Sequence, residues 1–261
     1  MPPTPPSFGD LQYWNTRFSK EDEFEWLADF TALEPWLRRA IGSSGDENER
    51  ERDGKGKRVL HIGCGTSALS AALKELVKSP RQIHNVDYSD VVIERQRQRD
   101  LTNTGEEASK WSTLDLLSLA QVEEFKKQGR YDVIIDKSTS DAISCAEDVH
   151  VGLPYHMNTA MEQGSSLAIS GHTQVYPLVI LAIHLAYLAT PGCQWMVLSY
   201  SASRFSYWED ESPQRLPHPT QLWKMVRHEK IEQPQDPKDT VHRPPTMHHL
   251  YILERTETPL G

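Results

Sequence analysis

Three short stretches carry residues whose types and spacing can do chemistry. The first, Val59-Leu60-His61-Ile62-Gly63-Cys64-Gly65-Thr66-Ser67-Ala68, reads as a strand that passes through a Gly-x-Gly turn into a helix. Glycine meets two needs there, a tight turn at unusual backbone angles and room for a ligand to touch the main chain. Taken alone it is an ordinary glycine turn. Asp87 changes its meaning, because it ends the next predicted strand 22 residues after Gly65, where a carboxylate can accept both hydroxyls of a ribose. Asp115-Leu116, after a strand candidate Trp111–Leu114, adds a carboxylate for an adenine amino group and an apolar side chain beside the ring. Together these residues predict a nucleoside-bearing cofactor at the point where the strand order of an open sheet reverses.

The elements that must position them follow from hydrophobic periodicity. Arg58–Ile62, Ser67–Val77, Gln82–Val86 and Val91–Arg99 alternate short apolar runs with amphipathic stretches, which is the βαβα pattern of a parallel sheet with helices on both faces. Tyr131–Ile135 is apolar at nearly every position and suits a strand buried on both sides. Pro177 opens a buried helix that runs to Ala189, Pro191-Gly192 ends it, and Gln194–Tyr200 is the next strand. Met225–Glu232 and His249–Glu254 are closing strands, parted by a proline-rich loop.

Upstream, four prolines in the first ten residues predict an extended lead, with order from Leu11. Between Tyr13 and Arg39 aromatic residues recur, and Trp26, Leu27, Phe30 and Leu33 fall at helical spacing, so a helical layer with an aromatic face is expected. Gly42–Lys57 has no apolar residue and reads as a solvated linker. Residues 1–57 are therefore taken as an extension with an aromatic cap and charged linker, and 58–261 as the main domain.

Composition narrows the partners. With 28 Lys+Arg against 37 Asp+Glu the net charge is −9, which argues against nucleic acid. The apolar run Pro177–Ala189 is shorter than the roughly 20 residues of a membrane span. The opening MPPTPPSFGD resembles no secretory signal, and three scattered cysteines make no disulfide framework, so a cytoplasmic protein is expected. Cys145, His150 and His156 lack a fourth ligand and standard spacing, so no metal site is expected.

A dinucleotide fold and an S-adenosylmethionine fold share the first half of this pattern, and Ala68 at the third glycine position fits either. The order glycine turn, ribose acid, adenine acid, Asp-ended strand, with Pro-Gly before the fifth strand and two late strands, is the layout of class I methyltransferases. The expected fold is a Rossmann-like, mostly parallel seven-stranded α/β sheet with an antiparallel last strand and an N-terminal helical cap.

Within that class the sequence resembles the methyltransferase-like and elongation factor 1-alpha lysine methyltransferase family. Tyr13-Trp14-Asn15-Thr16-Arg17-Phe18 with Phe24-Glu25-Trp26-Leu27, Val59–Ser70, Asn85–Val92 and Tyr131–Ala142 carry the likeness, and His249–Glu254 is similar to the family's last strand. The resemblance implies S-adenosylmethionine as cofactor, with Trp14, Phe18, Trp26, Gly63, Gly65, Asp87, Tyr88, Asp115, Leu116 and Lys137 at cofactor-binding positions. The aromatic rings suit a sulfonium, whose charge is favoured by about 0.5 to 2 kcal/mol over an aromatic face; packing of a helix onto the sheet is their other use. The family has Asn at Thr66 and Lys-Gly-Thr-Leu-Asp where this chain has Lys137-Ser138-Thr139-Ser140-Asp141. Cys145–Tyr176 is longer than the family's stretch and is expected to be a loop or lid near the acceptor.

Methyl transfer is an in-line displacement that needs an electron-rich acceptor about 3 to 3.5 Å from the methyl carbon. A lysine amine must arrive neutral, which desolvation by apolar walls or a nearby acid accepting hydrogen bonds would serve, and Asp136 and Asp141 are the candidates to orient or deprotonate it; strand-end contact and helix capping are their bland roles. The acceptor implied by resemblance is a protein lysine, with elongation factor 1-alpha as substrate. A small-molecule acceptor and a non-catalytic scaffold are the alternatives. His184, inside an apolar helix, reads as a hydrogen-bonded core residue.

Overall fold

Strands that are apolar on both sides must be covered on both sides, and that requirement organises this chain. A computed structural model describes residues 6–42, 56–104, 108–153, 155, 171–209, 216–233 and 246–260. In chain order the elements are α1 (Leu11–Phe18), α2 (Phe30–Ile41), β1 (Val59–Ile62), α3 (Leu69–Ala72), β2 (Ile83–Asp87), α4 (Asp90–Thr104), β3 (Lys110–Thr113), α5 (Leu119–Lys126), β4 (Tyr131–Lys137), α6 (Thr139–Ile143), β5 (Val149–Leu153), β6 (Gly171–Val175), α7 (Pro177–Leu188), β7 (Ala189–Ser199), α8 (Pro219–Leu222), β8 (Trp223–Glu232) and β9 (Met247–Arg255).

Seven strands form one sheet in the order β3-β2-β1-β4-β7-β9-β8. The strands from β3 across to β7 are parallel, and β9 enters antiparallel between β7 and β8. This is the mixed sheet expected from the sequence. Alternate residues serve opposite faces: Leu60, Ile134, Trp195 and Leu253 pack with α5 and α7, while Val59, Val133, Met196 and Leu250 pack with α2 and α3. Every residue of α7 is buried. Its 12 residues make about 18 Å of helix at 1.5 Å per residue, and no helix among the described residues is long and apolar enough to cross a membrane.

Several expectations need correction. The N-terminal layer is two helices, and Trp26 and Leu27 lie in the non-helical stretch between them. The Asp29 side chain accepts from the Ala32 amide and so starts α2 after those residues, and Leu27 adopts φ +64°, outside the helical region. Order also begins before Leu11, since Phe8 packs against Tyr13, Trp14 and Trp26. The helix expected over Ser67–Val77 is the single turn α3 followed by a 3-10 turn, Leu73–Leu76. Where a loop was expected over Cys145–Tyr176, β5 and β6 pair as an antiparallel ladder; 154 and 156–170 lie outside the described residues, as do 43–55 of the linker and 234–245 of the late loop.

Polar anchors hold the N-terminal segment to the sheet. Arg95 on α4 donates to the carbonyls of Phe18 and Glu21 and pairs with Asp22, and Ser89 donates to Asn15. An Arg95→Ala variant should release residues 19–24 from α4, so limited chymotrypsin digestion at Phe18 and Phe24 should speed up several-fold. The thermal midpoint of the sheet should move by only a few degrees, because no core contact is lost.

Candidate active site

Five parallel strands bring their C-terminal ends to one edge of the sheet, and a cleft of about 620 Å³ runs along that edge. With neighbouring strands about 4.8 Å apart, the four steps from β3 to β7 span roughly 19 Å. The cleft straddles the pair β1 and β4, where the strand order reverses, as open α/β sheets place their ligands.

At its centre lies the glycine turn. Gly63 and Gly65 have φ of +51° and +49°, conformations that disfavour any side chain. A Cβ on Gly63 would stand 2.3 Å from the Thr139 hydroxyl, which itself donates to the Ile62 carbonyl at 2.9 Å. The Gly65 amide donates to Asp87 Oδ2 at 3.0 Å, and the Ser89 amide donates to Oδ1 at 2.9 Å. Asp87 therefore lines the cleft while it fixes the turn. Burial pushes its carboxyl up to about 6, against the pull of these amides.

Asp115 and Leu116 line the β3 end, with Tyr88 also in the wall. One carboxylate oxygen, Asp115 Oδ1, accepts from the Leu117 amide at 2.9 Å. Among the described residues nothing bonds to Oδ2. Over the cleft lies the aromatic cap, in which Trp14 and Phe18 stack with centroids 5.5 Å apart and Trp26 meets Trp14 edge-on at 6.1 Å. Arg17 sits 4.5 Å over Phe24 and 4.8 Å over Trp26, so this cluster already holds one cation on ring faces.

Lys137 lines the wall after β4, but its ammonium faces the cap. It pairs with Glu25 and donates to the Trp26 carbonyl at 3.2 Å. Burial lowers its pKa, and Glu25 opposes that shift. Glu25 also accepts from the Ser67 hydroxyl and the Ala68 amide, so one carboxylate ties cap, glycine turn and β4 together. Sequence reasoning quoted Glu25 within a motif yet gave it no role.

The two candidate catalytic acids part company. Asp136 is not among the residues that line the cleft; its Oδ1 caps α6 by accepting from the Thr139 and Ser140 amides, and its buried Oδ2 has no hydrogen-bond partner among the described residues. Burial, helped by Asp141, pushes the carboxyl up to about 7. Asp141 does line the cleft. Its Oδ1 accepts from the Ser199 hydroxyl and from Arg204 at 2.6 Å, and its Oδ2 from the Ser138 hydroxyl and the Tyr200 amide. Four donors fill the roughly four lone-pair positions of a carboxylate. Burial opposes the charge on Arg204, but Asp141 together with Tyr200 and Tyr176 outweighs it and the guanidinium pKa is raised. Arg204 and Ser199 were not singled out in the sequence, because they lie some sixty residues from Asp141. Ser138 has φ +68°, which accounts for the glycine that the similar family carries there.

His61 also lines the cleft. Burial pushes its pKa down to about 4, so it is neutral at pH 7, and it bonds Ser70 and Asn85 at 3.1 Å. No group of three His, Cys, Asp or Glu among the described residues could hold a metal ion.

A family model described as a methyltransferase domain matches residues 53–183. Methyltransferase srdJ of Neurospora crassa is 34 % identical over 212 residues, 81 % of this chain and 72 % of that protein. The chain belongs to this methyltransferase family. A SAM-dependent methyltransferase from Anabaena variabilis has the same fold, at a TM-score of 0.54 and 10 % identity over 97 % of this chain and 96 % of that one. The protein is an S-adenosylmethionine-dependent methyltransferase of the Rossmann-like class. The described residues fit that donor: the glycine turn at Gly63 and Gly65, the Asp87 carboxylate and an Asp115 oxygen uncommitted among the described residues line one cleft.

The buried Asp136 sets a pH dependence for the methyltransferase. Its folded pKa, about 7, lies above an unfolded value near 3.9, so the stability it contributes is present below pH 4 and is lost as pH rises through 7. Asp136→Asn should raise the unfolding free energy, read by denaturant titration, by up to about 4 kcal/mol at pH 8 and little at pH 4. A pH-independent difference would show that the carboxyl is not held protonated by its surroundings.

Proposed function

We propose that this enzyme methylates a small, largely apolar acceptor bound between the ends of β4 and β7 and the N-terminal cap. The observation that carries the reading is the saturation of Asp141. Among the described residues it is the one carboxylate lining that end of the cleft, and all its acceptor positions are taken. The walls around it are Phe8, Ala142, Ile143, Cys145, Ala146 and Tyr200, which offer shape rather than charge.

Bound S-adenosylmethionine supplies an electrophilic methyl group. Asp115 and Leu116 would take its adenine, Asp87 its ribose, and the Gly63–Gly65 turn its closest approach to the main chain. Trp14, Phe18 and Trp26 would shield the sulfonium side from water and favour its charge, by about 0.5 to 2 kcal/mol for each well-placed ring. Tyr88 walls the adenosine end. Lys137 serves the donor through its stem, since its ammonium is committed to Glu25 and the cap. Asp136 holds the α6 turn, and Asp141 orients Ser138 and Tyr200; neither is placed to remove a proton from an incoming ammonium.

A protein lysine is the other acceptor to consider, with elongation factor 1-alpha the substrate that sequence resemblance implies. A lysine ammonium must shed its proton before it attacks, to a free carboxylate or comparable base within hydrogen-bond reach or through desolvation between apolar walls. The described acceptor end offers apolar walls but no free carboxylate, which favours an acceptor that arrives uncharged. Incubation of the enzyme with tritiated S-adenosylmethionine and a cell extract separates the two readings. Label should partition into solvent-extractable small molecules; label that stays with acid-precipitated protein would overturn the proposal in favour of a protein acceptor.

A further inference from the structure

Among the Leu, Ile, Val and Ala of α7 stands His184, 0 % exposed. An imidazole in such a place must be fully hydrogen-bonded or it costs the helix stability. His184 Nδ1 lies 2.6 Å from the Leu116 carbonyl, and Nε2 lies 2.5 Å from the Tyr155 hydroxyl. The chemistry fixes the proton. A carbonyl can only accept, so Nδ1 carries the hydrogen, Nε2 accepts, and the Tyr155 hydroxyl donates. Burial pushes the ring down to about 4, which keeps this neutral form at pH 7.

The Leu116 carbonyl belongs to the same rigid peptide plane as the Leu117 amide. That amide donates to Asp115 Oδ1 at 2.9 Å. His184 therefore grips one end of a plane whose other end grips the carboxylate of Asp115. The Asp115 amide donates to Gln121 Oε1 at 2.9 Å, which pins the residue's main chain, so the peptide plane is what sets the angle of its side chain. Asp115 lines the cleft, and with Oδ1 held, Oδ2 is the oxygen left for a ligand among the described residues.

We propose that His184, held in one tautomer by Tyr155, is a positioning residue that aims the Asp115 carboxylate at the amino group of the donor's adenine. The proposal rests on the reading of Asp115 as the adenine acid. It links a core helix and the residue just after β5 to base recognition, with no contact between His184 and the ligand.

The test is calorimetric binding of two probes, S-adenosylhomocysteine and S-inosylhomocysteine, in which an oxo group replaces the 6-amino group. The wild type should prefer the adenosyl compound at least about tenfold, the scale of one well-made hydrogen bond to a charged group. His184→Leu should lose most of that preference, with S-inosylhomocysteine bound as well as before. Tyr155→Phe, outside the helix core, should lose part of it and serves as the readout if His184→Leu does not fold. Equal weakening of both probes, or a lower thermal midpoint with the preference intact, would assign His184 a purely structural role. Asp115→Asn separates the premises: a variant that keeps the preference overturns the adenine reading of Asp115. Loss of preference in Asp115→Asn but not in the His184 and Tyr155 variants overturns the positioning role alone.

Discussion

The close approach of three chain segments at Gly63 is the constraint on which the cleft depends. β1 and β4 lie side by side with Ile62 opposite Asp136, and the Thr139 hydroxyl reaches back to the Ile62 carbonyl. A Cβ at Gly63 would occupy the space of that hydroxyl. Asp87 then fastens the far side of the turn through Gly65. The loops after β1, β2 and β4 thus form one body before any ligand arrives, and a preorganised bed spares the donor the cost of ordering it. The cost appears at Asp136, whose cap of α6 leaves one carboxylate oxygen buried without a hydrogen-bond partner among the described residues.

The N-terminal segment closes over this body by a different kind of force. α2 is held by buried apolar contact, with Leu33, Leu37 and Ile41 against the sheet. Residues 8–28 rest on a smaller apolar cluster, Trp14 and Phe18 against Cys64, Val92 and Ile93, and on Arg95, Ser89 and the Glu25 carboxylate, bonds in which water competes whenever they are partly exposed. Local stability follows buried apolar contact, so the cap is the less firmly held part of the cleft wall. Its anchors also sit beside cofactor-bed residues, Glu25 on Ser67 and Ser89 next to Tyr88. Movement of the cap and changes in the bed are therefore mechanically linked.

Much of this architecture was legible in the sequence where burial leaves a periodic trace. β1, β2 and β4 fall close to their expected spans because strands covered on both faces are written as apolar runs, whereas β7 starts at Ala189, five residues before its expected start, and takes in the Pro191-Gly192 expected to end the helix. The glycine turn and the acids Asp87 and Asp115 were legible from spacing, and the structure brings them to one cleft. Helical spacing misled at Trp26 and Leu27, since apolar residues three and four apart also line an irregular segment that packs on one side. Long-range pairing left no trace at all. Nothing near Asp141 in the chain announces Arg204, and nothing near His184 announces Leu116, so one acid read as a catalytic candidate stands fully engaged and one core histidine proves tied to the site wall.

The two ends of the cleft differ in how their polar groups are spent, and that difference bears on specificity. At the β3 end Asp115 keeps one oxygen uncommitted among the described residues, so a ligand there can be recognised by a hydrogen bond it completes. At the other end Asp141, Ser199, Arg204, Ser138 and the Tyr200 amide form a closed set in which every charge has its counterpart. A ligand that carries its own full charge into that end gains no partner and loses its water. An apolar ligand loses nothing and covers aromatic and aliphatic wall. On the proposed reading, in which the donor completes hydrogen bonds and the acceptor is chosen by shape, the donor half of the cleft can stay constant while the acceptor half varies in size rather than in charge.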